Sequence, residues 1–172
     1  MRFSGFVISM VIIAGLLYLG SLLLPSKITI SKSILIKAPE IRVEREIRDF
    51  KNWKHWYPAF KNENVSVIEN PAKPGMIQSV SLKDNNGKLL TLNLVASKPD
   101  TVTIEVKNVS STKVNYQFLM ARHKDGQTQL TWNVNTLVPW YSVEKVKGIF
   151  LDKISGPQYE AALMNLKKAA EK

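Results

Sequence analysis

The chain begins with an uncharged apolar run, Phe3 to Leu24, that follows Arg2 directly. As an α-helix this run is about 33 Å long, enough to cross the roughly 30 Å hydrocarbon core of a bilayer. A buried helix seldom lacks charged residues for so long, and a cleaved signal peptide has a shorter apolar core and a small-residue cleavage site. The run therefore predicts an uncleaved transmembrane anchor over residues 1–25, followed by one folded domain, the head, over residues 26–172.

The charges that flank this run bear on the side of the membrane that the head occupies. Arg2 and the amino terminus precede the run, whereas Lys27, Lys32 and Lys37 follow it. Because positive residues close to a span are retained on the cytoplasmic side, this count favours a single-pass protein with a cytoplasmic head. Short N-terminal tails also occur on anchors that export the following domain, so the opposite orientation is the alternative.

The head is basic and contains no cysteine. Arg2 is the only charged residue before Lys27, so the head carries 23 of the chain's 24 Lys and Arg, against 14 Asp and Glu. Such a charge suits an anionic surface, but it governs association and solubility rather than fold. The absence of cysteine excludes disulfides, thiolate metal sites and thiol nucleophiles. A domain of roughly 150 residues buries enough surface to be stable without crosslinks.

The spacing of apolar residues predicts the first elements of the head. Alternation over residues 26–37 indicates a strand. Helical spacing over residues 39–50 and 53–56 then indicates two short helices, with Pro at the start of the first and just beyond the end of the second. Trp53 and Trp56 are three positions apart, so both indoles are expected to point inward from the second helix.

The rest of the chain changes to a period of two and then returns to helical spacing. The C-terminal stretch, residues 142–172, predicts one long helix that Gly156 and Pro157 should interrupt or kink. Before it, alternating runs separated by turn sequences predict six antiparallel strands, over residues 65–69, 76–82, 89–96, 102–109, 114–121 and 130–137.

The predicted order of elements is that of the helix-grip fold: a strand, two short helices, six strands and a long helix. The segment IRVEREIRDFKNWKHWYP, with ILIKAPE before it and GPQYEAALMNLKKAAE at the end, resembles the SRPBCC superfamily. These proteins are also called START-like, or polyketide cyclase/dehydrase and lipid transport proteins, and the resemblance covers residues 27–172. It implies an α+β domain in which a curved antiparallel sheet of about seven strands surrounds the C-terminal helix. Glu44 departs from the pattern, because members usually carry a bulky apolar residue there.

The resemblance also implies a cavity between the sheet and the long helix, where members commonly hold lipids, sterols or polyketide-like molecules. Trp53 and Trp56 are assigned to the core rather than to this cavity. The same apolar residue types fill ordinary cores, so the sequence by itself leaves both interpretations open for each candidate. The candidate cavity residues are Tyr116, Phe118, Met120, Trp132, Val134, Phe150, Ile154 and Leu163.

The sequence contains no recognisable catalytic or metal-binding constellation. His55 and His123 are far apart, and neither lies in a nucleophile-elbow motif or beside a cluster of carboxylates. A glycine-rich phosphate loop is absent as well. Glu46 and Asp49 lie on the charged face of the first short helix, where pairing with Arg42, Arg45 or Arg48 is expected. Accordingly, no catalytic residue, metal or cofactor is predicted.

These observations favour a non-enzymatic module, tethered to a membrane, that binds a hydrophobic small molecule or lipid. The alternative is an enzyme of the polyketide cyclase or dehydratase kind, with Tyr116 or Tyr159 as its acid or base. A third possibility is a protein-interaction role like that of the chaperone-activating branch of the superfamily, although the sequence identifies no partner. Nucleic-acid binding is not predicted, because the lysines are scattered and form no stripe with exposed aromatics.

Overall fold

The structure is a computed structural model that describes residues 2–22, 27–61, 65–71, 77–85, 87, 89–108, 113–137 and 151–172. Its α-helices are α1 (Arg2–Leu22), α2 (Glu40–Arg48), α3 (Trp53–Trp56) and α4 (Leu151–Ala170). Its strands are β1 (Lys27–Ile36), β2 (Val65–Asn70), β3 (Gln78–Asp84), β4 (Leu89–Lys98), β5 (Thr101–Asn108), β6 (Lys113–Arg122) and β7 (Thr128–Leu137). Short 3₁₀ turns cover Phe50–Asn52, Pro58–Phe60 and Lys124–Gly126.

The strands form one antiparallel sheet in the order β1-β7-β6-β5-β4-β3-β2. From β2 to β7, strands that follow one another in the chain are neighbours in the sheet, and β1 pairs with β7 at the far edge. The pairing of β4 with β5 shifts between Leu94 and Ala96, and such a bulge bends and twists a strand. The predicted antiparallel sheet of about seven strands is confirmed.

The inner face of the sheet carries the core, because alternate side chains of β1 and of β3 to β7 point into one cluster that also includes residues of α4. Fully or almost fully buried residues of α4, including Leu163 and Leu166, belong to the same core. Burying a large apolar side chain contributes about 1.5–3 kcal/mol each, so this interface supplies much of the stability. One buried row crosses five strands in register, formed by Ile30, Val134, Tyr116, Ile104 and Leu94.

A charged contact joins α4 to β1. The Lys32 Nζ atom lies 2.8 Å from Glu160 Oε1 and 3.2 Å from Asp152 Oδ1, and hydrogen bonds to Glu160 and then Asp152 raise the pKa of Lys32. Gly156 permits this approach, since a Cβ atom there would lie 2.8 Å from Asp152 Oδ1 and 3.2 Å from Lys32 Nζ. The helix runs through Pro157 as one element, so it is not interrupted there, and the predicted kink stays a prediction. Residues 142–150 of the predicted helix lie outside the described residues.

Glu44 on α2 is only 7% exposed. Its Oε1 atom accepts a hydrogen bond of 2.9 Å from Ser97 Oγ on β4 and lies 3.4 Å from Arg48 Nη1 one helical turn away. A buried carboxylate is tolerated when it is paired and hydrogen-bonded, so α2 docks on the sheet through a polar contact at this point.

Helix α1 has 21 residues, and its described apolar side chains are exposed. Phe6 is 70% exposed and Met10 is 66% exposed. Within the part of the chain that the structure describes, no helix has the length and apolar character needed to cross a membrane. The predicted transmembrane span from Phe3 to Leu24 therefore has no support from the structure, and Leu24 itself lies outside the described residues.

Candidate ligand-binding site

An aromatic cluster fills the space between the inner face of the sheet and helices α3 and α4. Trp53 and Trp56 are both fully buried, which confirms that their indoles point inward. The Trp53 indole donates a 2.8 Å hydrogen bond to the Ile47 carbonyl oxygen, and the Trp56 indole donates a 3.1 Å bond to the Glu46 carbonyl oxygen. These bonds tie α3 to α2. The rings of the cluster are those of Phe50, Trp53, Trp56, Tyr57, Phe60, Tyr116, Phe118, Trp132 and Tyr159.

Trp132 lies at the centre of this cluster and differs from the other two buried tryptophans. Its ring stacks on Phe118, its cross-strand neighbour, with centroids 4.8 Å apart, and it lies 5.0 Å from Tyr159 and 5.1 Å from Tyr116. The Trp132 Nε1 atom is buried and has no hydrogen-bond partner among the described residues. A buried donor without an acceptor costs about 1–3 kcal/mol.

Three tyrosine hydroxyls meet beside Trp132. The hydroxyls of Tyr57 and Tyr116 share a hydrogen bond of 3.1 Å, and the hydroxyl of Tyr116 also interacts with that of Tyr159. Burial raises the pKa of Tyr57 to about 12 and the pKa of Tyr116 well above its ordinary value. Burial also raises the pKa of Tyr159, although its hydrogen bond with Tyr116 acts in the opposite direction. All three hydroxyls are therefore protonated at neutral pH.

The protons of this tyrosine trio decide what the site can recognise. Tyr57 and Tyr116 share a hydrogen bond, and the Trp132 N–H group has no acceptor among the described residues, so hydroxyl and indole donors lie together here. The arrangement suits a neutral hydrogen-bond acceptor such as a ketone or ester, because an ion buried here without a counter-ion would be strongly disfavoured.

The same geometry bears on acid–base chemistry. Neither a carboxylate nor a histidine hydrogen-bonds to the three hydroxyls within the described ranges. His55 and His123 are both exposed, His55 on α3 and His123 just after β6. With their raised pKa values, the tyrosines can donate hydrogen bonds or protons but are poor bases at neutral pH.

Most of the candidate cavity residues lie together in this interior. Ile154 is the exception, because it is 68% exposed. Nine positions separate Ile154 from Leu163, and at 100° per residue this places them on opposite faces of α4, so the inward position predicted for Ile154 is wrong. Phe150 lies outside the described residues. The six that are buried in the core are Tyr116, Phe118, Met120, Trp132, Val134 and Leu163, and their role as ligand contacts stays a prediction.

Two members of the tyrosine trio were not among the predicted cavity residues. Tyr57 follows directly after α3, so helical spacing did not assign it to a face. Tyr159 precedes Leu163 by four positions on α4, and residues four apart share a face of a helix. That spacing was a usable signal for Tyr159, whereas the contact of Tyr57 with Tyr116 joins residues 59 positions apart.

The antiparallel sheet around α4 places the head in the class of SRPBCC-like, or START-like, folds. The Zhui aromatase/cyclase from a Streptomyces species has a TM-score of 0.64 and 12% identity, over 84% of this chain and 94% of that chain. A START superfamily protein from Mycobacterium smegmatis has a TM-score of 0.63 and 14% identity, over 84% and 97%. A Staphylococcus aureus protein of unknown function has a TM-score of 0.63 and 15% identity, over 84% and 94%. Identities this low establish a shared fold alone. No family model matches the chain, and no curated protein matches it.

Proposed function

We propose that the head is a non-enzymatic binding module for a hydrophobic small molecule or lipid that carries a neutral hydrogen-bond acceptor. The observation that carries this proposal is the Trp132 N–H group, which has no partner within the described part of the chain and lies beside the tyrosine trio in an otherwise apolar interior. The likeness in fold to an aromatase/cyclase and to a START superfamily protein supports it by analogy.

Affinity and selectivity have separate sources in this proposal. The apolar body of the ligand gains about 25 cal/mol for each Å² of surface removed from water against the aromatic cluster. The acceptor oxygen removes the penalty of the unpaired Trp132 N–H group, which an alkane leaves in place. A carboxylate of the same length instead brings a charge to a site whose described hydrogen-bonding groups are all neutral.

A matched series of 2-tridecanone, tridecane and tridecanoate tests this selectivity on the full chain in a nonionic detergent. We expect the ketone to bind about five- to tenfold more tightly than the alkane, corresponding to about one kcal/mol for a satisfied hydrogen bond. Trp132→Phe retains an aromatic ring without the N–H group and should reduce this preference to about one. Competition for the site, followed by native mass spectrometry, measures the ratios.

Trp56→Phe is the matched control, because it removes an indole N–H group that already has a partner in the Glu46 carbonyl oxygen. This variant should keep the preference of the wild-type chain for the ketone over the alkane. Equal binding of ketone and alkane to the wild-type chain, or no retention of any apolar ligand, would contradict the proposed function.

We also propose that α1 attaches the head to a lipid bilayer, with the head on the cytoplasmic side. The support is that no charged residue follows Arg2 before Lys27, and that Phe6 and Met10 are exposed on α1. Proximity would let the head exchange ligand directly with a membrane, and the basic charge of the head would favour anionic lipids.

Carbonate extraction of cell membranes tests the attachment. The wild-type chain should remain with the membranes, whereas Ile12→Asp combined with Leu16→Asp should move it to the supernatant, because charge in a bilayer is costly. Val67→Asp combined with Ile77→Asp replaces exposed apolar residues of the head and should have no such effect. Extraction of the wild-type chain itself would overturn the attachment, and labelling of Lys172→Cys on intact cells by an impermeant thiol reagent would overturn the orientation.

A further inference from the structure

A basic cleft separates the C-terminal half of α4 from helices α2 and α3, away from the aromatic cluster. The cleft has a volume of about 580 Å³. Asn165 lines this cleft, and its Nδ2 atom donates a hydrogen bond of 3.4 Å to the Trp56 carbonyl oxygen, which joins α4 to α3. The basic side chains that line it are Lys54, His55, Lys61, Lys168 and Lys172.

These basic residues come from separate parts of the chain and converge on one opening. Lys54 and His55 lie on α3, Lys61 follows the second 3₁₀ turn, and Lys168 and Lys172 lie at the end of α4. All five are exposed, and within the described ranges none of them forms an ion pair with a carboxylate. Four lysines gathered around a concave surface create a positive potential that attracts anions.

Glu46 supplies a second and independent feature of the same cleft. Its Oε2 atom is buried and has no hydrogen-bond partner among the described residues, so the expected pairing with Arg42, Arg45 or Arg48 is not observed. Glu46 lines the cleft, and an unsatisfied carboxylate oxygen gains free energy from a donor that reaches it. The cleft thus presents one acceptor within it and several cations around it.

We propose that this cleft binds an acidic peptide segment of a protein partner. A peptide backbone supplies an N–H group to Glu46 Oε2, and Asp or Glu side chains on either side of that N–H group reach the lysines. A phosphodiester backbone has no N–H donor between its anionic groups, so nucleic acid matches this alternation of cations and acceptor less well. A flat bilayer surface also matches the concave shape poorly. The volume is that of a small-molecule pocket, so a short segment enters.

Fluorescence anisotropy with labelled hexaglutamate, on the full chain in a nonionic detergent at physiological ionic strength, tests the charge requirement. Lys54→Glu combined with Lys168→Glu should weaken binding at least tenfold. Lys83→Glu combined with Lys124→Glu changes the net charge equally at exposed lysines elsewhere and should change binding by less than about twofold. Equal losses in the two double variants would show attraction by net charge alone and would overturn the proposal.

A backbone-methylated hexaglutamate tests the role of Glu46, because it keeps the carboxylates and lacks the N–H groups. The wild-type chain should bind the methylated peptide at least fivefold more weakly than the ordinary peptide, whereas Glu46→Ala should bind the two about equally. A ratio that is the same in both proteins would overturn the assignment of Glu46. An oligothymidylate or phosphatidylglycerol vesicles could instead bind more tightly than the peptide and lose this binding in the Lys54 and Lys168 double variant. That result would overturn the peptide and identify nucleic acid or an anionic membrane as the partner of the cleft.

Discussion

Replacing Trp56 with alanine is expected to lower the free energy of unfolding of the head by about 3–5 kcal/mol, the range for truncation of a buried tryptophan. Trp56 is fully buried, and its ring lies 4.6 Å from Trp53, 6.1 Å from Trp132 and 6.3 Å from Phe118. Truncation would empty the space where α3 meets the sheet and would remove the bond to the Glu46 carbonyl oxygen. Urea denaturation followed by far-ultraviolet circular dichroism measures the loss.

Met164→Ala provides a control on the neighbouring helix, because Met164 is 59% exposed on α4. That variant should change stability by no more than about 0.5 kcal/mol, as is usual for surface positions. Trp56→Phe should lie between the two. An unchanged melting temperature for Trp56→Ala would show that Trp56 is not part of the core that joins α3, β6 and β7.

Raising the pH from about 10 to about 12 is expected to destabilise the head through the buried tyrosines. The pKa of Tyr57 is raised to about 12 in the folded head, compared with about 10 in an unfolded chain. Over this window the unfolded chain has lost the proton that the folded head retains, so stability falls as pH rises. Two pKa units correspond to about 3 kcal/mol for Tyr57, and this contribution is fully present below about pH 10. Tyr116 and Tyr159 act in the same direction.

Urea unfolding at a series of alkaline pH values, combined with absorbance at 295 nm, measures this linkage. Ionisation of the buried tyrosines should occur together with unfolding. Tyr57→Phe removes one of the titrating groups and should make the fall in stability with pH less steep. Lys32, whose pKa is also raised, contributes equally in both proteins and does not affect this comparison. Complete tyrosine ionisation in a head that is still folded would contradict the buried position of the trio.

The sequence predicted best those helices and strands whose apolar residues recur at a regular spacing and pack against a large apolar surface. Alternation along the strands predicted the sheet, since one face of most strands is buried in the core. The three-residue spacing of Trp53 and Trp56 similarly predicted their inward orientation, because positions three apart on a helix share a face. Ile154 was assigned to the cavity together with Leu163, although the nine positions between them place the two side chains on opposite faces of α4.

The parts that could not be predicted depend on contacts between residues far apart in the chain. The burial of Glu44 depends on Ser97, which is 53 positions later. The hydrogen bond between Tyr57 and Tyr116 likewise depends on where α3 lies against β6. Lysines that are scattered in the sequence form a cleft only because α4 returns beside α3, so the amino-acid pattern alone gave no sign of it.

The indole N–H signal of Trp132 in a ¹H–¹⁵N correlation spectrum of the full chain tests the proposed binding site most directly. The chain has four tryptophans, so Trp132→Phe identifies the signal by its loss. Saturating 2-tridecanone should move the Trp132 indole proton downfield as it gains an acceptor, whereas tridecane should leave it without a bond and should cause no such shift. A Trp132 indole signal that stays in place when the ketone is bound would contradict the proposal that this N–H group recognises the ligand.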